Sequence, residues 1–123
     1  MKFFKCAKCN KVVYVLTDGS PTLSCCGENM TELKSNTTDA SAEKHVPVVK
    51  QDKNKVEVTI GSALHPMTDA HYIDWILLKG SKNVQIVYLD HTASPVAHFT
   101  LCDGEKVENV YAYCNLHSLW SLK

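Results

Sequence analysis

The sequence predicts an all-β chain: a small N-terminal segment clipped by metal, followed by an antiparallel β-sandwich. Short apolar runs recur at near-regular spacing from residue 55 onward, divided by turn residues and without a helical period. One of them, Lys55-Val-Glu-Val-Thr-Ile60, alternates polar and apolar residues as a half-buried strand does. Four of the six cysteines fall within the first 26 residues, in a stretch too short to bury a core of its own.

In chain order, Cys6-Ala-Lys-Cys9 opens the cysteine-rich segment and Cys25-Cys26 closes it. Between them an apolar run, Val12 to Leu16, meets a turn cluster, Asp18-Gly19-Ser20-Pro21, which reads as a short hairpin with cysteines at both ends. A structural metal contributes an apparent ~10–16 kcal/mol in zinc-finger peptides, enough to fix such a fragment. Ser35 to Ala42 is small and polar and reads as a linker. Strands are expected at 55–60, at Tyr72–Lys79 up to Gly80, at Val84–Leu89, at Val96–Cys102 before the turn Asp103-Gly104, and at Val107–Cys114.

Thirteen basic and thirteen acidic residues cancel, so no global field recruits nucleic acid or an anionic membrane, and any steering of a charged ligand is local. The N-terminus has no apolar run of signal-peptide length, and no stretch approaches the roughly 18 apolar residues of a membrane span. Six cysteines in such a chain point to thiolates on metal rather than disulfides, and to a cytoplasmic protein.

The most informative residues are His45, His65, His71, Cys114 and His117, with Glu43 and Lys44 directly before the first. Each of the five sits beside an expected strand, and a sandwich gathers its loops at one end, so one metal could collect them all. A tetrahedral structural zinc is full with four ligands. Four imidazoles and one thiolate therefore point to a redox iron centre open to a small molecule. The short Cys114-x-x-His117 spacing lets both side chains reach one metal and lets backbone N–H groups after Cys114 address its sulfur.

Glu43-Lys-His-Val-Pro47, His65-Pro-Met-x-x-x-His71-Tyr-Ile-x-Trp75 and Tyr111-Ala-Tyr-Cys-Asn-Leu-His117 resemble the signature blocks of desulfoferrodoxin, the two-iron superoxide reductase family. Cys6-x-x-Cys9 with Cys25-Cys26 is similar to that family's desulforedoxin-like N-terminal domain, so the resemblance spans the chain. It implies a four-cysteine iron domain over 1–36 and, over 37–123, an immunoglobulin-like antiparallel β-sandwich carrying the catalytic iron. It implies His45, His65, His71 and His117 in a plane around iron, Cys114 on the axis and an open position opposite. Glu43 would be the carboxylate that takes this position in the ferric state, and Lys44 the lysine that guides superoxide. One departure is Ser118, where the family pattern favours Gly.

The resemblance further implies that superoxide, two protons and one electron give hydrogen peroxide with no oxygen evolved. The electron would come from an external donor such as rubredoxin, and the protein would be a homodimer. At the four-cysteine site the family favours iron, with zinc as the alternative occupant after overexpression, and the site's role as relay or structural clip stays open. A non-catalytic two-iron electron carrier is the alternative function, weakened by the open position and by Lys44. A zinc-ribbon nucleic-acid module fits poorly with vicinal cysteines and zero net charge. His91 and His98 match no ligand block and read as ordinary polar residues. Tyr72, Trp75, Tyr111, Tyr113 and Trp120 read as core or rim aromatics, and Cys102 as a small buried hydrophobe.

Overall fold

The computed structural model describes residues 1–19 and 22–123, and the chain divides into two compact units, Met1–Lys34 and Ser35–Lys123. The first unit contains β1 (Phe3–Lys5), β2 (Val12–Tyr14), β3 (Ser24–Cys25), β4 (Glu28–Asn29) and β5 (Thr31–Leu33). β2, β1 and β5 form an antiparallel sheet in that order, and β3 pairs with β4 as a separate ribbon. Phe3 and Cys6 are its buried hydrophobic residues, with Tyr14 tilted against Phe3 at 5.5 Å.

The hairpin expected between the cysteine pairs is not the one formed. The run at Val12 folds back onto β1, so Cys6 and Cys9 lie in the β1–β2 connection and Cys25-Cys26 at the β3–β4 turn. The reason is local. The N–H of Cys6 donates to Lys11 O and the N–H of Asn10 to Cys6 O, both at 2.9 Å, closing a knuckle with Asn10 at φ +64°. Of the expected turn at 18–21, Ser20 and Pro21 lie outside the described residues.

The second unit runs α1 (Ala42–His45), β6 (Pro47–Asp52), β7 (Lys55–Ile60), β8 (Ile73–Gly80), β9 (Val84–Tyr88), β10 (Val96–Thr100), β11 (Val107–Cys114) and β12 (Ser118–Ser121). It is the antiparallel sandwich that the strand pattern predicts: a three-stranded sheet β10-β7-β6 and a four-stranded sheet β12-β11-β8-β9. Alternation sends Val56, Val58 and Ile60 inward from β7, beside Phe99 and Ala97 of β10. They share one core with Ile73, Ile76 and Leu78 of β8 and Val110, Ala112 and Cys114 of β11. Each large aliphatic fully buried this way contributes about 1.5–3 kcal/mol.

Three elements escape the sequence pattern. α1 is a single turn, too short for a helical period. β6 begins at a buried proline, a residue tolerated at the start of a strand, and is exposed over its last three residues. β12 spans four residues from Ser118, whose φ of +65° is a backbone state that suits glycine. The polar stretch from Ser35 is also less free than a linker: Asn36 exchanges side-chain hydrogen bonds with the backbone of Ser121 at 3.1 and 2.8 Å.

Cys102 is exposed rather than buried. β10 ends at Thr100, and Cys102 falls in a turn where its N–H donates to Glu105 Oε1 at 2.9 Å. Its sulfur lies 3.0 Å from Asn83 Nδ2. His91 stacks on Tyr72 at 3.4 Å and His98 lies on an exposed strand face.

Candidate metal centres

Sheet register brings the metal-directed residues to one end of the sandwich. Pro47, two residues after His45, pairs with Ile60, and Cys114 pairs with both Ile73 and Ser118. The start of β6, the end of β7, the start of β8 and the β11–β12 turn therefore meet. One donor atom from each of His45, His65, His71, Cys114 and His117 lies within 4.8 Å of all the others.

The four rings form a closed circuit. His45 meets His65, His65 meets His71, His71 meets His117 and His117 meets His45, with centroids 4.6 to 5.1 Å apart and planes at 75 to 81°. His45 and His71 stand across from each other at 6.4 Å. Cys114 Sγ approaches His65 Nε2 at 3.4 Å and His117 Nδ1 at 3.9 Å, so it lies against the circuit without being part of it.

Hydrogen bonds decide which nitrogen each ring offers. His45 Nδ1 donates to Ser41 O and His65 Nδ1 to Pro66 O, both at 2.7 Å, leaving Nε2 as the unprotonated nitrogen of each neutral ring. His117 turns Nδ1 to the centre, 3.0 Å from His45 Nε2. His71 Nε2 is buried with no hydrogen-bond partner. Trp120 stacks on His45 at 4.7 Å and 26°, and its Nε1–H donates to His117 O at 2.9 Å.

The electrostatics favour a cation. Burial lowers the pKa of His65 to about 4 and pushes His45 and His71 down, so these rings are neutral donors near neutral pH. Burial raises the thiol of Cys114, while backbone N–H groups of His117 and Leu116 pull the other way. The His117 N–H lies 3.4 Å from Cys114 Sγ. An orphaned imidazole nitrogen, converging neutral rings and a buried thiol form a donor set that iron fits, with one sulfur and four nitrogens.

Glu43 and Lys44 are exposed on α1. Glu43 Oε1 accepts the Ser41 hydroxyl at 3.3 Å, and no Glu43 oxygen belongs to the five-atom group among the described residues. The charge of Lys44 contributes to lowering both His45 and His71, which puts it in electrostatic reach of the ring circuit. The loop after β7 holds this turn: Ala63 N–H and the Ser62 hydroxyl donate to Glu43 O at 3.1 and 3.2 Å, and Gly61 N–H to Val46 O at 3.3 Å. Ser41, Gly61 and the stacking role of Trp120 escape sequence reading. A glycine closing a β-strand just before a metal-directed histidine is the one available signal.

In the first unit the sulfurs of Cys6, Cys9, Cys25 and Cys26 also lie within 4.8 Å of one another. Cys9 and Cys25 sulfurs are 3.6 Å apart, and Cys25 and Cys26 sulfurs 3.9 Å. Adjacent cysteines reach one point because Cys26 and Gly27 occupy the two-residue β3–β4 turn at φ +52° and +80°. Both central residues are left-handed, as a type I′ turn requires. The N–H of Cys9 addresses the Cys6 sulfur at 3.5 Å and draws that thiol down to about 7. Hydrogen bonding with Cys9 and Cys25 pushes Cys26 up to about 12. Four crowded sulfurs that resist losing all their protons are what a bound cation resolves, and iron suits four thiolates.

Residues 37–123 match the family Desulfoferrodoxin, and residues 1–33 match the family described as Desulfoferrodoxin, N-terminal domain. A desulfoferrodoxin of Syntrophotalea carbinolica is 40% identical over 121 residues, covering 98% of this chain and 94% of the relative. The crystal structure of the superoxide reductase from Treponema pallidum superposes with a TM-score of 0.83 at 34% identity, covering 99% of this chain and 98% of that one. A superoxide reductase of Giardia intestinalis, described as 1Fe-SOR, aligns at 37% identity and a TM-score of 0.53, covering 64% of this chain and 94% of its own.

Proposed function

The chain belongs to the desulfoferrodoxin family, and on that premise we propose that it is a superoxide reductase whose catalytic iron is held by His45, His65, His71, His117 and Cys114. The observation that carries this reading is the closed circuit of four rings with one buried thiol against it. Iron held there would supply the electron that, with two protons, turns superoxide into hydrogen peroxide without release of oxygen.

The chain's own residues do the rest. Neutral imidazoles leave the Cys114 thiolate as the one anionic donor of the set, and the His117 N–H moderates it. Lys44 attracts the superoxide anion, and its position matters because the chain as a whole has no net charge to do so. Glu43, whose Oε1 accepts the Ser41 hydroxyl on the exposed face of α1, is the carboxylate we assign as an additional ligand that iron held here would use.

The proposal extends to a second iron at Cys6, Cys9, Cys25 and Cys26, and to a division into a four-cysteine domain over 1–36 and a reductase domain over 37–123. The Giardia reductase covers 64% of this chain, a share that the second unit alone can accommodate, which supports an auxiliary role for the four-cysteine iron. We further propose a one-electron donor such as rubredoxin, a homodimer and a cytoplasmic location. No helix among the described residues is long and apolar enough to cross a membrane.

The test combines metal analysis with pulse radiolysis and an oxygen electrode. Two irons per chain, a thiolate-to-iron band that appears on oxidation, and superoxide consumed without oxygen release are expected. Two colourless zincs would refute the iron assignment, and oxygen evolution would make the activity a dismutase. Irons that cycle with a donor but ignore superoxide would make the protein an electron carrier.

A further inference from the structure

Asn115 lies between Cys114 and His117 in sequence, yet its amide reaches to the strand entry that carries His71. Its Oδ1 accepts the N–H of Tyr72 at 2.8 Å and its Nδ2–H donates to Ala70 O at 3.0 Å. Its backbone N–H donates to Tyr72 O at 3.1 Å. Three hydrogen bonds thus grip the chain on both sides of His71. The side chain meets one donor and one acceptor, and an amide answers both at once, its oxygen accepting and its nitrogen donating.

His71 needs such a grip more than its neighbours do. His45 and His65 are each oriented by a ring N–H to a backbone carbonyl at 2.7 Å. His71 makes no ring hydrogen bond among the described residues, and its Nε2 is buried without a partner. Beyond its edge contacts with the His65 and His117 rings, its place is therefore set through its backbone. Thr68 closes the loop locally, with its Oγ1 accepting the His71 N–H at 3.1 Å. That bond fixes the loop's shape but not its place relative to the β11–β12 turn.

We propose that Asn115 is a positioning residue that holds His71 in register with Cys114 and His117, doing through the backbone what a ring hydrogen bond does for His45 and His65. This rests on the reading of the five residues as one metal centre. Partners of this kind outside the ligand set typically change metal affinity by about 10- to 100-fold when removed.

The experiment uses Co2+ binding to the metal-free full chain, followed by absorption and by competition with a chelator. The band lost in a Cys114→Ser chain marks the five-donor site and separates it from the four-cysteine site. Asn115→Ala should weaken Co2+ at that band by about tenfold or more. In a His71→Ala background the same substitution should change affinity less than about twofold, because the ligand it acts on is gone. If Asn115→Ala does not fold, Asn115→Asp decides in both backgrounds. It keeps the acceptor for Tyr72 N–H but sets a carboxylate against Ala70 O, and should weaken binding in the native background alone.

Native-like affinity in the Asn115 variant, or an equal loss with and without His71, overturns the inference. A native chain lacking any Cys114-dependent band overturns the metal-centre reading and this inference with it, so the two failures are distinguishable.

Discussion

Gly61 should be among the least replaceable residues of the second unit. Its φ is +88°, and a Cβ built there would stand 2.2 Å from Ala63 O and 2.9 Å from both Cα and O of Lys44. All three are backbone atoms, which cannot swing aside as a side chain can. Gly61→Ala incurs about 1–2 kcal/mol for a left-handed residue bearing a Cβ, and about 1–3 kcal/mol for overpacking. The sum, about 2–5 kcal/mol, is a large share of a domain's ~5–15 kcal/mol. For a unit of this size each kcal/mol lowers Tm by about 4–8 °C, so a fall of at least about 8 °C is expected. Gly104→Ala is the control, because φ is +76° there but the nearest atom would be Lys82 Nζ at 3.7 Å. It incurs the backbone cost without the clash. Calorimetry on the native chain and both variants measures the difference, and a Gly61→Ala transition within about 2 °C of Gly104→Ala would refute the steric reasoning.

Other perturbations separate the parts of the protein. At roughly 6 Å the attraction between Lys44 and superoxide is about 0.7 kcal/mol in water and about 2.8 kcal/mol at an effective dielectric of 20, a local enrichment of roughly threefold to a hundredfold. Lys44→Ile should slow the bimolecular rate by a factor in that range and flatten its salt dependence, and an unchanged rate in pulse radiolysis would remove Lys44 from the mechanism. Glu105 accepts the N–H groups of Cys102 and Asn83, both at 2.9 Å, and the Cys102 bond leads in holding its carboxyl below the ordinary glutamate range. With its folded pKa below the unfolded one, its stabilisation is full above the ordinary glutamate range and is lost as pH falls through the folded value. Glu105→Gln should therefore trail the native chain in urea unfolding at about pH 7 and converge with it in acid, and a gap that stays constant with pH would count against this role. Cys9→Ser should release the metal of the first unit and abolish amide protection across residues 1–33, since Phe3 and Cys6 are the buried hydrophobic residues there. Protection that survives the substitution would mean the sheet β2-β1-β5 holds without metal.

The parts of the fold legible in sequence are those where burial imposes a period. β7 and β11 lie where alternation and apolar content place them, because Val56, Val58, Ile60, Val110 and Ala112 face one core. α1 and β12 are not legible, since each is a short piece of structure set by tertiary contacts. The N-terminal hairpin fails for a related reason. Its pairing is decided by the Cys6–Asn10 knuckle and the Cys26-Gly27 turn, whose backbone angles respond to where four sulfurs must meet. Cys102 departs from its expected burial because strand β10 stops two residues early, captured by the hydrogen bond from its own N–H to Glu105.

At the larger centre the donors are legible and their mounts are not, and the difference is physical. A metal ligand must be one of a few residue types, so its identity shows in the sequence. A mount works through backbone groups that every residue carries. His45 is aimed by the carbonyl of Ser41 and His65 by that of Pro66, and neither bond depends on the side chain of the residue that accepts it. Mounts become readable where a particular side chain, or its lack, is indispensable. Gly61 is such a place because the backbone of Lys44 occupies the space of a Cβ. Asn115 is another because its amide accepts from Tyr72 with one end and donates to Ala70 with the other. Ser118 shows the converse: a left-handed position filled without glycine, at a strand start where its neighbours Leu119 and Trp120 are each 2% exposed. That burial offsets the backbone cost of about 1–2 kcal/mol, so the turn that carries His117 tolerates a Cβ at this position.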